Sequence, residues 1–310
     1  MTKLFYYHRR DRLNNFGDAL NPWLWHQLLP DFFDQDETTI FVGIGTLLNS
    51  LLPHRLPKAN QVIIFSSGVG YEKPLSVIPA SWKIYSVRGP LSAQSLGLPA
   101  NLAVADGAIL IKRLFKGTGN KTHRFGFIPH IHHATYADTT WQSICSDIGF
   151  KYIDPRDSVA QILSDIDHTQ VLLAEAMHGA IAADALRVPW IPVHTSARIL
   201  AFKWQDWCAS MNVEYHPWYI SPFLHAYPPV ARGIRSSMRA TRHWFNWLKQ
   251  NPWNGLNYIG GDQESVTMQL IRIAQTAQPR LSDEQQLEQR ITELEEKLHQ
   301  LSNECGKPLG

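Results

Sequence analysis

Cysteine is scarce in this 310-residue chain. Cys145, Cys208 and Cys305 are scattered, odd in number and never in CxxC spacing. This excludes a disulfide framework and a cysteine-built zinc site, and fits reduced thiols in the cytosol. No apolar run reaches about 18 residues, so no membrane span is expected. The opening MTKLFYYHRRDRL holds no apolar core of about 7–15 residues, so no secretory signal is expected. An excess of one charge is also missing. The 29 Lys+Arg against 27 Asp+Glu leave a formal +2, which argues for no nucleic-acid partner. Eleven tryptophans and 14 histidines are the surplus. They fit carbohydrate or phosphate contacts, and equally an aromatic core. With 44% hydrophobic residues the chain can bury a large core, and at about 100–200 residues per domain it suggests two domains.

The most informative stretch is 171–193, VLLAEAMHGAIAADALRVPWIPV. Val171-Leu172-Leu173 reads as a buried parallel strand, Ala180 to Leu186 as an alanine-rich helix, and Val188 to Val193 as a second strand. In such a βαβ unit the strand-to-helix turn lies at the carboxyl edge of the sheet, where ligands bind. That turn holds Glu175, His178 and Gly179. The free N–H groups of a helix start attract anions, and a histidine beside them is a candidate proton donor; a buried histidine bonded to backbone fits the same pattern.

Other strand ends share this character. Leu4 to Tyr7 leads to Asn15-Phe16-Gly17-Asp18, with Asn21-Pro22 opening a helix, where Asp18 and Asn21 also suit capping. Ile40-Phe41-Val42 leads to Gly43-Ile44-Gly45-Thr46, and Gln61 to Phe65 leads to Ser66-Ser67-Gly68-Val69-Gly70. The GxG turn lacks the third glycine of a dinucleotide fingerprint, so it reads as a turn that lets a ligand or backbone come near. Lys83 to Val87 ends at Arg88-Gly89-Pro90, with Pro90 in a first helical turn. Arg88 there suits a phosphate or carboxylate, or an acidic neighbour. Leu102-Ala103-Val104 reads as a fifth strand before Asp106.

These alternations define an α/β chain with two parallel-sheet, Rossmann-like domains. Residues 1–115 form the first and 122–222 the second, which carries the His178 motif. Residues 223–278 form a basic, aromatic helical tail and 279–310 a short heptad helix. His130, His132 and His133 lie at the end of the strand beginning at Phe125. Their spacing and lack of an adjacent carboxylate argue against a metal. Arg232, Arg235, Arg239 and Arg242 recur every three or four residues, and Trp244 to Trp253 follow. This fits membrane-surface contact through 232–253 or a solvated face with packed aromatics. Leu287, Ile291, Leu294, Leu298 and Leu301 make a heptad seam, suited to self-association through 281–301 or to packing on the body.

Six segments in order resemble the polysaccharide pyruvyl transferase family, in particular members that decorate bacterial exopolysaccharides. They are Asn15-Phe16-Gly17-Asp18 with Asn21, Gly43-Ile44-Gly45-Thr46, Ser67-Gly68-Val69-Gly70, Ser86-Val87-Arg88-Gly89-Pro90, Ala105-Asp106-Gly107, and Glu175-Ala176-Met177-His178-Gly179. The helix Phe202 to Trp207 adds to the likeness. The resemblance implies a fold like the GT-B glycosyltransferases, phosphoenolpyruvate as donor, and a sugar of a lipid-linked oligosaccharide as acceptor. The product would be a cyclic pyruvate ketal made in the cytoplasm, at the inner face of the membrane, without a cofactor. It implies His178 as acid and Arg88 as holder of the donor's phosphate or carboxylate. Asn15, Gly17, Gly45, Thr46, Gly68, Gly70, Asp106 and Gly179 would line the site. Asp18, Asp106 and Glu175 are the carboxylates at the right edge to act as base, with Asp18 preferred. Many members carry Arg-Leu before the His-Gly pair, and that arginine also binds the donor. Here those positions are Ala176 and Met177, so His130, Arg198 and Lys203 are the candidate substitutes. The alternatives are a glycosyltransferase of the same architecture using a nucleotide sugar, and a non-catalytic polysaccharide-assembly protein.

Overall fold

A computed structural model of the chain describes residues 2–195, 199–221, 223 and 262–306. Two sheets succeed each other along the chain. The first comprises β1 (Lys3–Phe5), β2 (Thr39–Val42), β3 (Gln61–Ser67) and β4 (Trp82–Val87), paired in that order. The second comprises β5 (His123–Ile128), β6 (Lys151–Tyr152), β7 (Thr169–Ala174), β8 (Trp190–His194) and β9 (Trp218–Tyr219), in the order β6-β5-β7-β8-β9. Every pairing in both sheets is parallel. The apolar runs IFV, VIIF and VLL are strands because both faces of such sheets are covered, so no polar alternation is needed.

The expected fifth strand at Leu102–Val104 shrinks to a single parallel bridge, Val87 to Ala103. Residues Ala100–Leu102 close into a 3-10 turn instead. The first helix also differs from expectation. α1 runs Phe16–Leu28, with Asn15 as N-cap and Pro22 inside it. Proline at that point leaves the Asp18 carbonyl without its helical donor. The Asn21 side-chain amide reaches that carbonyl at 3.4 Å and the Ile44 carbonyl at 3.2 Å, so helix and GxG turn are tied together.

Among the described residues, five tryptophans belong to the core. Trp25, Trp141, Trp190, Trp204 and Trp207 are all fully buried. Trp25 packs edge-on against Phe41 and Phe65 under the first sheet, and Trp190 contacts Trp204 and Trp207 under the second.

The heptad helix is α11 here, Glu284–Cys305, preceded by α10, Gln263–Thr276. Its seam residues Leu287, Ile291, Leu294, Leu298 and Leu301 are buried in the same core as residues of both sheets. Near its start Arg290 and Gln286 donate to the Ser210 carbonyl, and near its end Glu304 accepts from Tyr85 and Lys83 of β4. The helix is therefore a strap across both halves. Of the two readings of this seam, the structure shows packing on the body: the apolar stripe is covered by its own chain. The basic stripe Arg232, Arg235, Arg239 and Arg242 and the 232–253 segment lie outside the described residues.

Candidate functional site

The carboxyl edges of the two sheets face one another, and His178 stands where they meet. α8 spans Met177–Ala185 with Ala176 as N-cap, so His178 lies in its first turn at the end of β7. The Nε2 atom of His178 is 3.6 Å from Asp106 Oδ2. Both atoms are sealed from solvent and neither has a hydrogen-bond partner. The other ring nitrogen lies over Gly17: a Cβ built there would fall 2.2 Å from Nδ1. Gly17 is thus glycine because the histidine occupies its side-chain space.

Asp18 follows on α1. Its Oδ2 accepts from the Asn15 side-chain amide at 2.7 Å. Burial pushes its carboxyl above the ordinary value, while the Asn15 bond and the charges of His178, Arg9 and Lys203 oppose the shift. Burial and then the Asp18 charge likewise raise Tyr6. His130 sits at the end of β5, where its Nδ1 accepts from the His132 amide at 3.4 Å. Burial first, then His132, Lys203, His133 and Arg9, hold it neutral, well below the ordinary histidine value. Lys203, from α9 (Ala201–Ser210), donates to the Tyr71 hydroxyl at 3.1 Å and lies 5.6 Å from that ring's centre. Tyr71 has a positive φ of 62°, a sparsely populated conformation for a non-glycine residue.

Several expected ligand contacts are committed elsewhere. Arg88 is fully buried. Its Nε donates to Asp206 at 2.9 Å, Nη1 to Thr46 Oγ1 at 2.9 Å and Nη2 to the Val69 carbonyl at 2.8 Å. Asp206 also accepts from the Ser92 amide at 2.9 Å. Arg88 is therefore a latch between the first sheet and α9, shaping the loops that carry Thr46 and Val69, and no face of it is open to a donor. Gly68 is glycine because the guanidinium fills its side-chain space, with a built Cβ only 2.3 Å from Cζ. Gly179 similarly makes room for Ile128, and Gly45 and Gly70 adopt positive φ angles in their turns. At Gly68 and Gly179 the protein's own side chains fill the space a Cβ would take.

Glu175 is also fully buried and occupied. It accepts from the His130 amide at 2.8 Å, the Thr195 amide at 3.2 Å, the Thr195 hydroxyl, and His133 Nδ1 at 2.8 Å. Burial raises its carboxyl, but His133, Thr195 and the His130 amide together hold it below the usual value. It ties three loops together and is not free to act as a base. His133 Nδ1 points at Glu175. Among the described residues, no group of three or more His, Cys, Asp or Glu side chains could hold a metal ion. Arg198 lies outside the described residues.

Arg9 is the residue that sequence reasoning missed. It follows β1, its side chain is only 11% exposed, and it pairs with Asp11 through Nε at 3.0 Å. Its charge acts on both Asp18 and His130. In the run His8-Arg9-Arg10-Asp11-Arg12 nothing distinguishes it from its solvated neighbours. Lys203 acts on the same two groups.

A histidine, a half-buried carboxyl and two cations gather at the carboxyl edges of two parallel sheets, the edge at which open α/β sheets bind ligands. Comparison with known proteins agrees. Residues 15–196 match the family model described as polysaccharide pyruvyl transferase. The chain is 39% identical over 241 residues to the succinoglycan biosynthesis protein ExoV of Rhizobium meliloti (strain 1021), covering 77% of this chain and 72% of that protein. This chain belongs to the polysaccharide pyruvyl transferase family, and it is a transferase. Among the described residues, no helix is long and apolar enough to cross a membrane.

Proposed function

We propose that the enzyme transfers the enolpyruvyl group of phosphoenolpyruvate to a sugar of an exopolysaccharide repeat unit, closing a cyclic pyruvate ketal. The acceptor is a lipid-linked oligosaccharide at the cytoplasmic face of the membrane, and no cofactor takes part. The observation that carries this reading is His178 in the first turn of α8, close to an Asp18 carboxyl on which the charges of His178, Arg9 and Lys203 all act.

Phosphoenolpyruvate brings a phosphate and a carboxylate, so its site needs cations and N–H donors. Arg9, Lys203 and the first turn of α8 provide them. Neutral His130 lines the same edge without adding charge. His178 gives a proton to C3 of the enol, which makes C2 electrophilic. One sugar hydroxyl adds to C2, and a second on the same sugar displaces phosphate. Of the two hydroxyl protons, one replaces the proton given to C3 and the other leaves with phosphate. Asp18 is the base for the hydroxyls. Its raised pKa brings it nearer to working pH, where a base is most effective.

Thermal unfolding with phosphoenolpyruvate tests the donor. A ligand at about 100 times its Kd stabilises by about 2.7 kcal/mol, which raises the melting temperature by several degrees. The wild type should show this rise and the Arg9→Ala/Lys203→Ala double variant should lose it. Protection by nucleotide sugars but not by phosphoenolpyruvate would overturn the reading.

A further inference from the structure

His178 and Asp106 meet in a buried contact between the two halves of the chain. Asp106 follows the first sheet and is fully buried. Its Oδ1 accepts from the Ala108 amide at 3.0 Å, capping the turn Gly107–Leu110, so the carboxylate cannot rotate freely. Its Oδ2 is left aimed at His178 Nε2, 3.6 Å away, and both atoms lack any other partner. A buried polar atom without a partner is costly, and here two such atoms face each other across the junction between the two sheets. Nδ1 lies on the opposite edge of the ring, over Gly17 at the start of α1.

We propose that Asp106 is the positioning residue for His178: it keeps a proton on Nε2 and leaves Nδ1 as the atom that exchanges protons with substrate. An acceptor beside one ring nitrogen fixes the tautomer and orientation of the other. The carboxylate comes from the first half of the chain and the imidazole from the second. The proton donor is therefore complete only when the halves are docked, as the Arg88–Asp206 pair and the α11 strap hold them. The role given to His178 in substrate protonation rests on the reading above; the tautomer does not.

The test is the tautomer of His178 in the full-length protein. Nitrogen-15 labelled histidine is read by NMR at alkaline pH, and the signal is assigned by its loss in His178→Gln. The expected result is a proton on Nε2. In Asp106→Asn the Ala108 amide still requires an acceptor, so the asparagine oxygen stays on it and the NH2 group faces His178. Nε2 then becomes an acceptor and the proton moves to Nδ1. The kcat should fall by roughly 10²–10⁴-fold while KM for phosphoenolpyruvate changes little. A proton on Nδ1 in the wild type overturns the proposal, and that measurement needs no Asp106 variant to fold. An unchanged tautomer and kcat in Asp106→Asn also overturns it. Failure of the donor reading would appear separately, as loss of protection by phosphoenolpyruvate with the Nε2 proton still in place.

Discussion

Replacing Gly17 with alanine should separate catalysis from stability. The new Cβ would lie 2.2 Å from His178 Nδ1 and 3.0 Å from both Cε1 and Cγ. Ordinary contact between such atoms is about 3.5–4 Å, so the ring must move by more than about 1 Å. Gly17 lies inside α1, where alanine is favoured over glycine by about 1 kcal/mol, while crowding costs about 1–3 kcal/mol. The two nearly offset, because the His178 side chain keeps 16% of its surface exposed and can swing outward. Misplacement of a reacting group by about 1 Å costs on the order of 100-fold in rate. The variant should therefore melt within a few degrees of the wild type and transfer pyruvate about 100-fold more slowly. The assay pairs thermal unfolding with labelled pyruvyl transfer from phosphoenolpyruvate into the glycolipid fraction of producer membranes. Activity within about threefold of wild type at unchanged stability would refute the placement of His178 at the reacting carbon.

Arg88→Ala leaves Asp206 charged and buried, and should cost about 3–5 kcal/mol in denaturant unfolding; a loss confined to donor affinity would contradict its role as a latch. Asp18→Asn should abolish transfer yet hold or raise stability at neutral pH. The folded pKa of Asp18 lies above its unfolded value, so its ionised form works against the fold. A large drop in melting temperature would show the opposite. His130 titrates in the unfolded chain near 6.5 and well below that in the fold. Its contribution is complete above 6.5 and is lost as pH falls from there toward the folded value, so His130→Asn should flatten the stability curve in that window. Leu294→Ala should cost about 2–5 kcal/mol without changing the mass in solution, and a shift from dimer to monomer would restore the self-association reading.

The sheets were legible because parallel strands advertise themselves as unbroken apolar runs, and because polar, glycine-rich turns mark their carboxyl ends. Pro22 misled because a proline usually opens a helix, whereas here the Asn21 side chain reaches the carbonyl that the proline strands in mid-helix. Arg88 looked like a ligand holder because its partner Asp206 is 118 residues away, a contact that no local pattern reveals. Glu175 was read at the right place but with the wrong freedom, since His133 and Thr195 come from other strand ends. The α11 seam showed its apolar stripe but not what covers it, because periodicity gives a face and never the surface it meets. Arg9 stayed hidden among exposed arginines, and only the fold brings its charge to bear on Asp18 and His130.

The most direct measurement is transfer itself, with purified enzyme, labelled phosphoenolpyruvate and membranes carrying the lipid-linked oligosaccharide. Label should enter the glycolipid as an acid-labile ketal, with one phosphate released per ketal formed and none of this in His178→Gln. Label that enters only from a nucleotide sugar, or equally well with His178→Gln, would contradict the central claim.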